Sequence, residues 1–488
     1  RFLLDIVLLA IAGYGFYLLN QQGSLAVVID DGPADPFQNP LLLVLPALSI
    51  FALTLLFLRV LPWVMNGVSY LLLRTNNVAL MQAVRYLGRT PHHYRPPLNL
   101  LILTVGLAVY TASLARTVDL QLYDETFYEV GSDLNMLTSQ QVSGFGGQND
   151  EEEPFTYLPV TEYELIEGIG RATRVGRYNV RSQIDGRGVQ GRYMGVDADS
   201  FREVAYWRWD FSQYRLGSLM NALGSHVNGV LVPESLIGRT SLRVGDPFRY
   251  SVSVEGTDVD FEGIIVGTFR YFPTWYPEEN ELLIVGNLNT LFEGVGGEVP
   301  YRVWATTDAP VTDRELRTAL NERRLFNTSW QEPESAIARA QAEPARQGLF
   351  GVLSVGFIAS ALLTVLGFFL YTLFSFRRRM VEMGVLRAVG NNRRTMIAIV
   401  AWELMLLILF GLLVGTALGV VVSQQFVPFL QVGGSGTAAP PYLVEVAWEA
   451  VAQIYILFGG LFFVALAALS WRLANMKVFE SIKLGETV

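Results

Sequence analysis

The sequence predicts a membrane protein: an α-helical transmembrane bundle of six spans, with a large extracytoplasmic α+β domain inserted between the third and fourth helices. Of its 488 residues, 51% are hydrophobic and only 17% are charged, whereas soluble proteins carry about 25% charged residues. Several apolar stretches are long enough to cross about 30 Å of hydrocarbon. Residues 118–347 contain 35 acidic and 20 basic residues. The rest of the chain has an excess of bases, which indicates two different environments.

The spans follow from the requirement for about 20 mostly apolar residues per crossing helix. Five are clear, at about 41–61, 98–116, 348–376, 396–423 and 451–473. The sixth, at about 2–19, contains Asp5 near its start. No small-residue cleavage site follows it, so we interpret it as a helix and not as a signal peptide.

The orientation follows from the short loops, because Lys and Arg concentrate on the cytoplasmic side. Segments 59–95 and 377–394 and the tail after 471 are basic, whereas 20–40 and 424–450 contain no Lys or Arg. This alternation predicts that both termini are cytoplasmic. It also places residues 118–347 outside.

The inserted region mixes two kinds of pattern. Alternating β-branched runs predict strands, which we list in chain order as RVGRYNVRSQI, GVLVPESL, FRYSVSV, DVDFEGIIVGTFRYF, ELLIVG and YRVWATT. Residues 161–169 and 312–324 predict helices, each opening on a Thr with a Glu three residues later, as in a capping box. The pattern therefore predicts an α+β domain.

Aromatic residues concentrate at 206–214 (YWRWDFSQY) and 271–276 (YFPTWY). One interpretation is an exposed surface that binds an apolar or sugar-bearing ligand. The other, which we favour, is core packing of strands with Trp207 and Trp209 on the same face.

Several function classes are excluded or unsupported. The chain has no Cys, three His and a net charge of −9, which argues against thiol chemistry, a histidine metal centre and nucleic-acid binding. No nucleotide-binding G-x-x-x-x-G-K-[ST] and no hydrolase motif is present. We therefore predict no catalytic, cofactor-binding or metal-binding residues, and a membrane-anchored enzyme has no support.

The most informative stretch is 377–399, RRRMVEMGVLRAVGNNRRTMIAI. Its pattern predicts a short helix over 378–389, ended by Gly390-Asn391-Asn392, which can turn the chain back into the next span. Taken by itself, this helix could simply lie flat at the membrane surface, and its arginines could enforce topology and bind anionic lipid.

The motif residues of this stretch resemble the signature of the FtsX-like permease family, the MacB/LolC-type membrane subunits of ABC transporters. They are Glu382, Gly384, Leu386, Arg387, Ala388, Gly390, Arg393 and Arg394. Residues 77–97 resemble the elbow helix of that family, and VLVPESLIGRTSLRVGDPFRYSV followed by FEGIIVGTFRYFP resembles its periplasmic core domain. The resemblance covers about residues 77–488.

The resemblance implies a domain division. Residues 1–76 form two extra helices and a connector, and 77–117 the elbow helix and first core helix. Residues 118–347 form the MacB-like core domain with stalk ends, and 348–488 three helices with the coupling helix 378–389 and a cytoplasmic tail. Because the two first helices are extra, we expect the chain to be the C-terminal part of a larger ten-helix permease.

The resemblance also implies the biochemistry. It predicts a bacterial cytoplasmic (inner) membrane protein that works with a separate cytoplasmic ABC ATPase dimer, which binds the ATP and Mg. The residues implied to contact the ATPase are Glu382, Gly384, Arg387, Gly390, Arg393 and Arg394. The helical pattern of the third and fourth spans extends over about 98–129 and 345–376, which is longer than the bilayer requires. We therefore expect the surplus to form stalks that pass the motion of the ATPase to the outer domain.

Two features of the fifth span stand out. Gly411, Gly415 and Gly419 recur every fourth residue and so share one face, which predicts a close helix-packing seam. The partner of this seam stays open, and a second permease unit is one choice. Glu403 is an ionisable residue inside the same span, where it needs a partner, either as part of a proton relay or, as we prefer, through a hydrogen bond near the interface.

Two functions remain. The favoured one is a permease that moves an amphiphile such as a lipid, lipoprotein or peptide, with membrane lipid and a second permease unit as partners; that unit is an upstream part of the same chain, a paralogue or an identical copy. The alternative is an FtsX-like regulatory scaffold that activates a cell-wall hydrolase. An extracytoplasmic lipoprotein or hydrolase is then a partner. The sequence names neither the substrate nor the direction of transport.

Overall fold

The computed structural model describes residues 2–22, 40–71, 78–89, 91–138, 159–254, 256–276, 282–308, 313–323, 325, 327–344, 393–429 and 439–474, with 347–348, 351 and parts of 354–367. Two compact units emerge. The helical unit comprises Arg1–Leu120, Pro344–Gly434 and Tyr442–Val488. The inserted unit comprises Gln121–Glu343 together with Ser435–Pro441. The second segment of the inserted unit was not indicated by the sequence.

The helical unit is built from long apolar helices. They are α1 (Phe2–Gln22), α2 (Pro40–Leu71), α3 (Val78–Arg89), α4 (Pro91–Val130), which runs on into the inserted unit, α12 (Arg393–Phe426) and α13 (Trp448–Ala474). A short 3-10 turn, Val427–Phe429, follows α12. The described residues between 354 and 367 are also helical.

Three helices are long and apolar enough to cross a membrane by length and composition: Val44–Tyr70, Tyr94–Val130 and Ile397–Phe429. They correspond to three of the six spans expected from the sequence. Two shorter apolar helices, Val7–Leu18 and Trp448–Leu461, fall at the first and last expected spans. The expected span at 348–376 is described only in part.

The helix α3 is amphipathic and packs by its apolar face. Ala83, Val84 and Leu87 are almost fully buried, whereas Arg85 and Arg89 are exposed. The Tyr94 hydroxyl donates a hydrogen bond of 2.8 Å to the Leu87 carbonyl. This bond fixes the end of α3 to the start of α4, as expected for an elbow.

The inserted unit follows the predicted α+β pattern. Its strands are β1 (Leu134–Thr138), β2 (Ile169–Ile184), β3 (Arg187–Val196), β4 (Gly229–Pro233), β5 (Pro247–Val254), β6 (Thr257–Phe269), β7 (Leu282–Asn287), β8 (Arg302–Thr307) and β9 (Asn327–Gln331). Its helices are α5 (Thr161–Glu164), α6 (Ala198–Val204), α7 (Leu216–Ser225), α8 (Glu234–Arg239), α9 (Leu288–Val295), α10 (Asp313–Glu322) and α11 (Pro333–Gln341).

These strands form one sheet of order β3-β7-β4-β6-β5-β2-β8-β1-β9, with an additional β3–β2 pairing. The strand β2 pairs with β5 along one edge and with β3 along the other. The first six strands of this order, from β3 to β2, therefore close into a barrel, and closure leaves them without free edges. The strands β8, β1 and β9 continue the sheet from the N-terminal half of β2.

Apolar residues pack on both faces of the sheet. One cluster contains Tyr193, Val230, Val252, Ile265 and Ile284 among others. The second contains Val175, Met194 and Trp304 and is covered by apolar residues of α6 and α7, including Phe201, Leu219 and Leu223.

Local expectations differ from the structure in several places. Thr161 is not a capping residue: Val160 precedes α5 without a side-chain cap, and the Glu164 carboxylate instead accepts a bond from the Ala172 amide. Residues 206–214 contain no strand. The sequence did not predict β1, β3 or β9. For β3 a signal exists, because Asp185-Gly186, with φ of 48° and 76°, is a strong hairpin turn between alternating runs.

Candidate functional site

Most of the predicted ATPase contacts, Glu382, Gly384, Arg387 and Gly390, lie outside the described residues. Arg393 and Arg394 are the first two residues of α12. The coupling role of this segment therefore stays a prediction. What the structure adds lies in the helical unit, in the C-terminal half of α12, and in the inserted unit where α4 ends.

The glycine face of α12 packs against α4 of the same chain. A Cβ atom placed on Gly415 would lie 2.7 Å from the Val105 Cβ and 3.0 Å from the Ile102 carbonyl oxygen. A Cβ on Gly419 would lie 2.7 Å from the Gly106 carbonyl oxygen. Such distances leave no room for a side chain. Only glycine lets the two backbones approach this closely.

The first member of the stripe, Gly411, faces Leu98 and Leu101 in the same way. Gly106 contributes to the same contact from α4, since a Cβ there would lie 3.3 Å from the Gly415 carbonyl oxygen. The seam that the sequence left without a partner is thus a contact between α12 and α4. We call it the glycine seam.

Polar side chains add further ties inside the helical unit. The hydroxyls of Thr104 and Thr364 lie 2.5 Å apart in a buried position, and those of Thr416 and Tyr455 lie 3.1 Å apart. Glu403 is 2% exposed, so its carboxyl group is enclosed by protein.

The inserted unit holds the end of α4 through one buried arginine. The Arg208 guanidinium donates to Asp124 on α4 at 2.5 Å and to both carboxylate oxygens of Asp210 at 2.7 and 2.8 Å. It also donates to the Pro441 carbonyl at 2.7 Å. Tyr206 donates to the second Asp124 oxygen at 2.7 Å. We call these five residues the arginine hub.

The hub is enclosed: Arg208 is 8% exposed and the side chains of Asp124 and Asp210 are 17% and 12% exposed. Burial alone would lower the pKa of Arg208, but the hydrogen bonds and charges of Asp210, and after them those of Asp124, raise it. Burial raises the pKa of Tyr206, and its bond to Asp124 raises it further. Arg208 therefore stays ionised and Tyr206 stays protonated at physiological pH.

Aromatic rings surround this hub. Tyr128 of α4 packs edge-on against Phe211 and Tyr276, and its hydroxyl donates to the Trp275 carbonyl. Trp207 packs against Phe211. The interpretation of the aromatic runs as buried packing is thus correct for most of these rings.

Trp209 and Tyr214 are the exceptions, being 77% and 57% exposed. The expectation that Trp207 and Trp209 share one buried face is wrong for Trp209. The reason is that residues 206–209 turn without strand alternation, so that Arg208 points inward and Trp209 outward. No signal in the sequence relates Arg208 to Asp124, which lies 84 positions away.

Within the described part of the chain, no group of three His, Asp or Glu residues could hold a metal ion. The hub itself offers carboxylates that Arg208 already neutralises. The groups of the hub are hydrogen-bonded to one another and not directed at open space. The hub is therefore a structural attachment of the end of α4 and not a binding site.

Comparison with known proteins adds a family. Residues 354–478 match the family described as FtsX-like permease C-terminal. No curated protein matches. Among solved structures, the periplasmic region of MacB from Actinobacillus actinomycetemcomitans is similar at 7% identity and a TM-score of 0.29, over 44% of this chain and 95% of that one. The extracellular domain of the noncanonic ABC-type transporter YknZ from Gram-positive bacteria is similar at 11% identity and a TM-score of 0.26, over 41% of this chain and 98% of that one.

Proposed function

We propose that this chain, which residues 354–478 identify as an FtsX-like permease, passes the ATP-driven motion of a cytoplasmic ATPase to an extracytoplasmic domain. FtsX-like permeases are membrane components of ABC transporters, and their ATPase is a separate subunit. The chain is accordingly a multi-pass membrane protein of the ABC permease type. The work done outside is export or extraction of an amphiphile such as a lipid, lipoprotein or peptide.

One observation carries the proposal: α4 is a continuous helix from Pro91 to Val130. Its 40 residues give a length of about 60 Å at 1.5 Å per residue, and about 30 Å suffices to cross the hydrocarbon. A helix with this surplus can act as a rod. Its kink-prone prolines, Pro96 and Pro97, lie in its first two turns and leave the rest uninterrupted.

Contacts at each part of the rod support the same interpretation. In the helical unit, the glycine seam joins α4 to α12, whose first residues are the predicted ATPase contacts Arg393 and Arg394. In the inserted unit, the arginine hub joins the end of α4 to the sheet domain through Asp124. A displacement of α12 would therefore move α4, and α4 would move the domain attached to it.

The first test is co-purification from native membranes in mild detergent. We expect a cytoplasmic ATPase to accompany the wild-type chain and to be lost from the Glu382→Ala, Arg387→Ala double variant. Arg85→Ala, Arg89→Ala is the matched control, because both are exposed residues in another basic segment. If the control loses the ATPase equally, the assignment of the coupling segment is wrong.

The second test concerns transmission. Hydrogen exchange of the inserted unit should change when ATP is added to the wild-type complex. In Arg208→Met we expect the ATPase to stay bound while this change disappears. An inserted unit that does not respond to ATP in the wild-type complex would refute transmission, even if the ATPase is present.

A further inference from the structure

Three arginines lie on one face of the sheet in the inserted unit. Arg177 is on β2, and its neighbours on the adjoining strands are Arg192 of β3 and Arg302 of β8. In the register, Asn179 faces Arg192 and Val175 faces Arg302. We call these three residues the arginine triad.

The register determines that all three share a face. Residues 175, 177 and 179 alternate with their neighbours and so point to the same side of β2, and directly paired residues point to the same side of a sheet. Arg192 and Arg302 are therefore diagonal neighbours of Arg177. Diagonal Cβ atoms lie about 7–8 Å apart, within reach of long side chains.

The central arginine has unused hydrogen-bond donors. In the described structure, Nε and Nη2 of Arg177 are buried and have no hydrogen-bond partner, and the same holds for Nε1 of Trp304. The Arg177 guanidinium lies over the Trp304 ring, 5.8 Å from its centroid. Buried donors without partners are energetically unfavourable, and more so when charged, so the site is incomplete as it stands.

Positive charge also lies close to Arg177. Burial, and then the charges of Arg302 and Arg192, lower the pKa of Arg177 to about 10. Elsewhere in the unit, buried arginines are paired: Arg174 lies 2.9 Å from the Asp197 carboxylate and Arg208 contacts two aspartates. No described carboxylate acts on Arg177 in this way.

We propose that the arginine triad binds a phosphate-sized oxyanion. A guanidinium presents a planar fork that binds two oxygens of such an anion. Arg192 is exposed and Arg177 only partly buried, so the site can be reached from solvent. Free phosphate and a phosphate monoester on a lipid or sugar headgroup share this chemistry.

This inference is independent of the transmission mechanism, because the triad contains no residue of the glycine seam or the arginine hub. The competing occupant is the chain itself. Glu278, Glu279 and Glu281 follow Tyr276 closely in sequence, lie outside the described residues, and could supply a carboxylate.

The test is calorimetric titration of the full chain in uncharged detergent with sodium phosphate, at ionic strength held constant with sodium chloride. We expect saturable binding to the wild type and at least about tenfold weaker binding to Arg177→Met, since charged hydrogen bonds contribute about 1.5–3 kcal/mol. Arg181→Met is the matched control. It lies on the same strand but is 63% exposed and paired with Asp258.

Glycerol 3-phosphate separates the two sources. Binding at least as tight as that of phosphate indicates a headgroup monoester, and binding of phosphate alone indicates the free ion. Arg177→Lys keeps the charge but loses the fork. An intermediate affinity in Arg177→Lys would show that the weaker binding of Arg177→Met does not result from misfolding. Equal affinity in Arg177→Met and wild type overturns the proposal. So does binding that appears only when Glu278, Glu279 and Glu281 are changed to Gln.

Discussion

Replacing Arg208 by Met should loosen the end of α4 from the inserted unit. Methionine keeps most of the apolar volume but removes all four hydrogen bonds that the guanidinium donates to Asp124, Asp210 and Pro441. It also leaves two largely buried carboxylates without their cation. The perturbation is therefore the loss of one partner from a buried ion pair, and not the loss of a surface charge.

The magnitude follows from this burial. Removing one partner of a buried ion pair costs about 3–5 kcal/mol. At about 1.4 kcal/mol per tenfold change, local opening around Asp124 should become about two to three and a half orders of magnitude more frequent. Amide hydrogen exchange of peptides covering 121–130 and 206–214 reports this opening directly, in the full chain and without assuming two-state unfolding.

The matched control is Arg181→Met. Arg181 makes an ion pair only slightly longer than the hub contacts, 2.9 Å to Asp258, but the side chains are 63% and 47% exposed. Exposed pairs contribute about 0–1 kcal/mol, so local exchange should rise less than about fivefold. If Arg208→Met behaves like this control, the hub does not hold α4 and our reasoning about its burial is refuted.

Three further changes test other parts of the structure. Gly415→Val should destabilise the helical unit by about 1–3 kcal/mol through overpacking against Val105, whereas Gly459→Val, with open space around it, should not; thermal unfolding in detergent compares them. Burial raises the pKa of Tyr250 to about 12. The contribution of this shift to the stability of the folded chain is complete below pH 10 and is lost as the pH rises from 10 to 12. Tyr250→Phe should make this pH dependence of unfolding smaller, as followed by circular dichroism. Asn287→Ala removes the cap of α9 and should lower the free energy of opening of its first turn by about 1 kcal/mol. Faster amide hydrogen exchange of that turn would report this change.

Much of the architecture can be predicted from composition and periodicity, because apolar length and strand alternation are local properties. The helix α4 illustrates this: the apolar pattern indicates both the span and its continuation, and the structure extends it to Val130. The missed strand β3 has a local signal too, the Asp185-Gly186 turn. By contrast, the closure of the barrel depends on β3 pairing with β7, 91 positions along the chain, and no local pattern encodes that choice.

The candidate site shows the same division. The glycine spacing predicts which face of α12 is used, because spacing is a property of one helix, but it cannot say which helix packs there. Arg208 lies between two tryptophans, where an aromatic strand is the simpler interpretation. Its role depends on Asp124 and Pro441, which are distant in sequence and meet only in the folded chain.

The two attachments of α4 differ in kind, and this difference bears on how motion would pass along it. The glycine seam is a close contact between backbones and apolar side chains, which small residues permit and which contains no directional bond. The arginine hub is directional, since Asp124 can be bonded by Arg208 and Tyr206 only in one position. Moving Asp124 out of that position would separate buried charges from their partners, whereas the seam contains no such directional contact. If motion passes along α4 as proposed, we therefore expect slippage to occur at the seam before the hub opens.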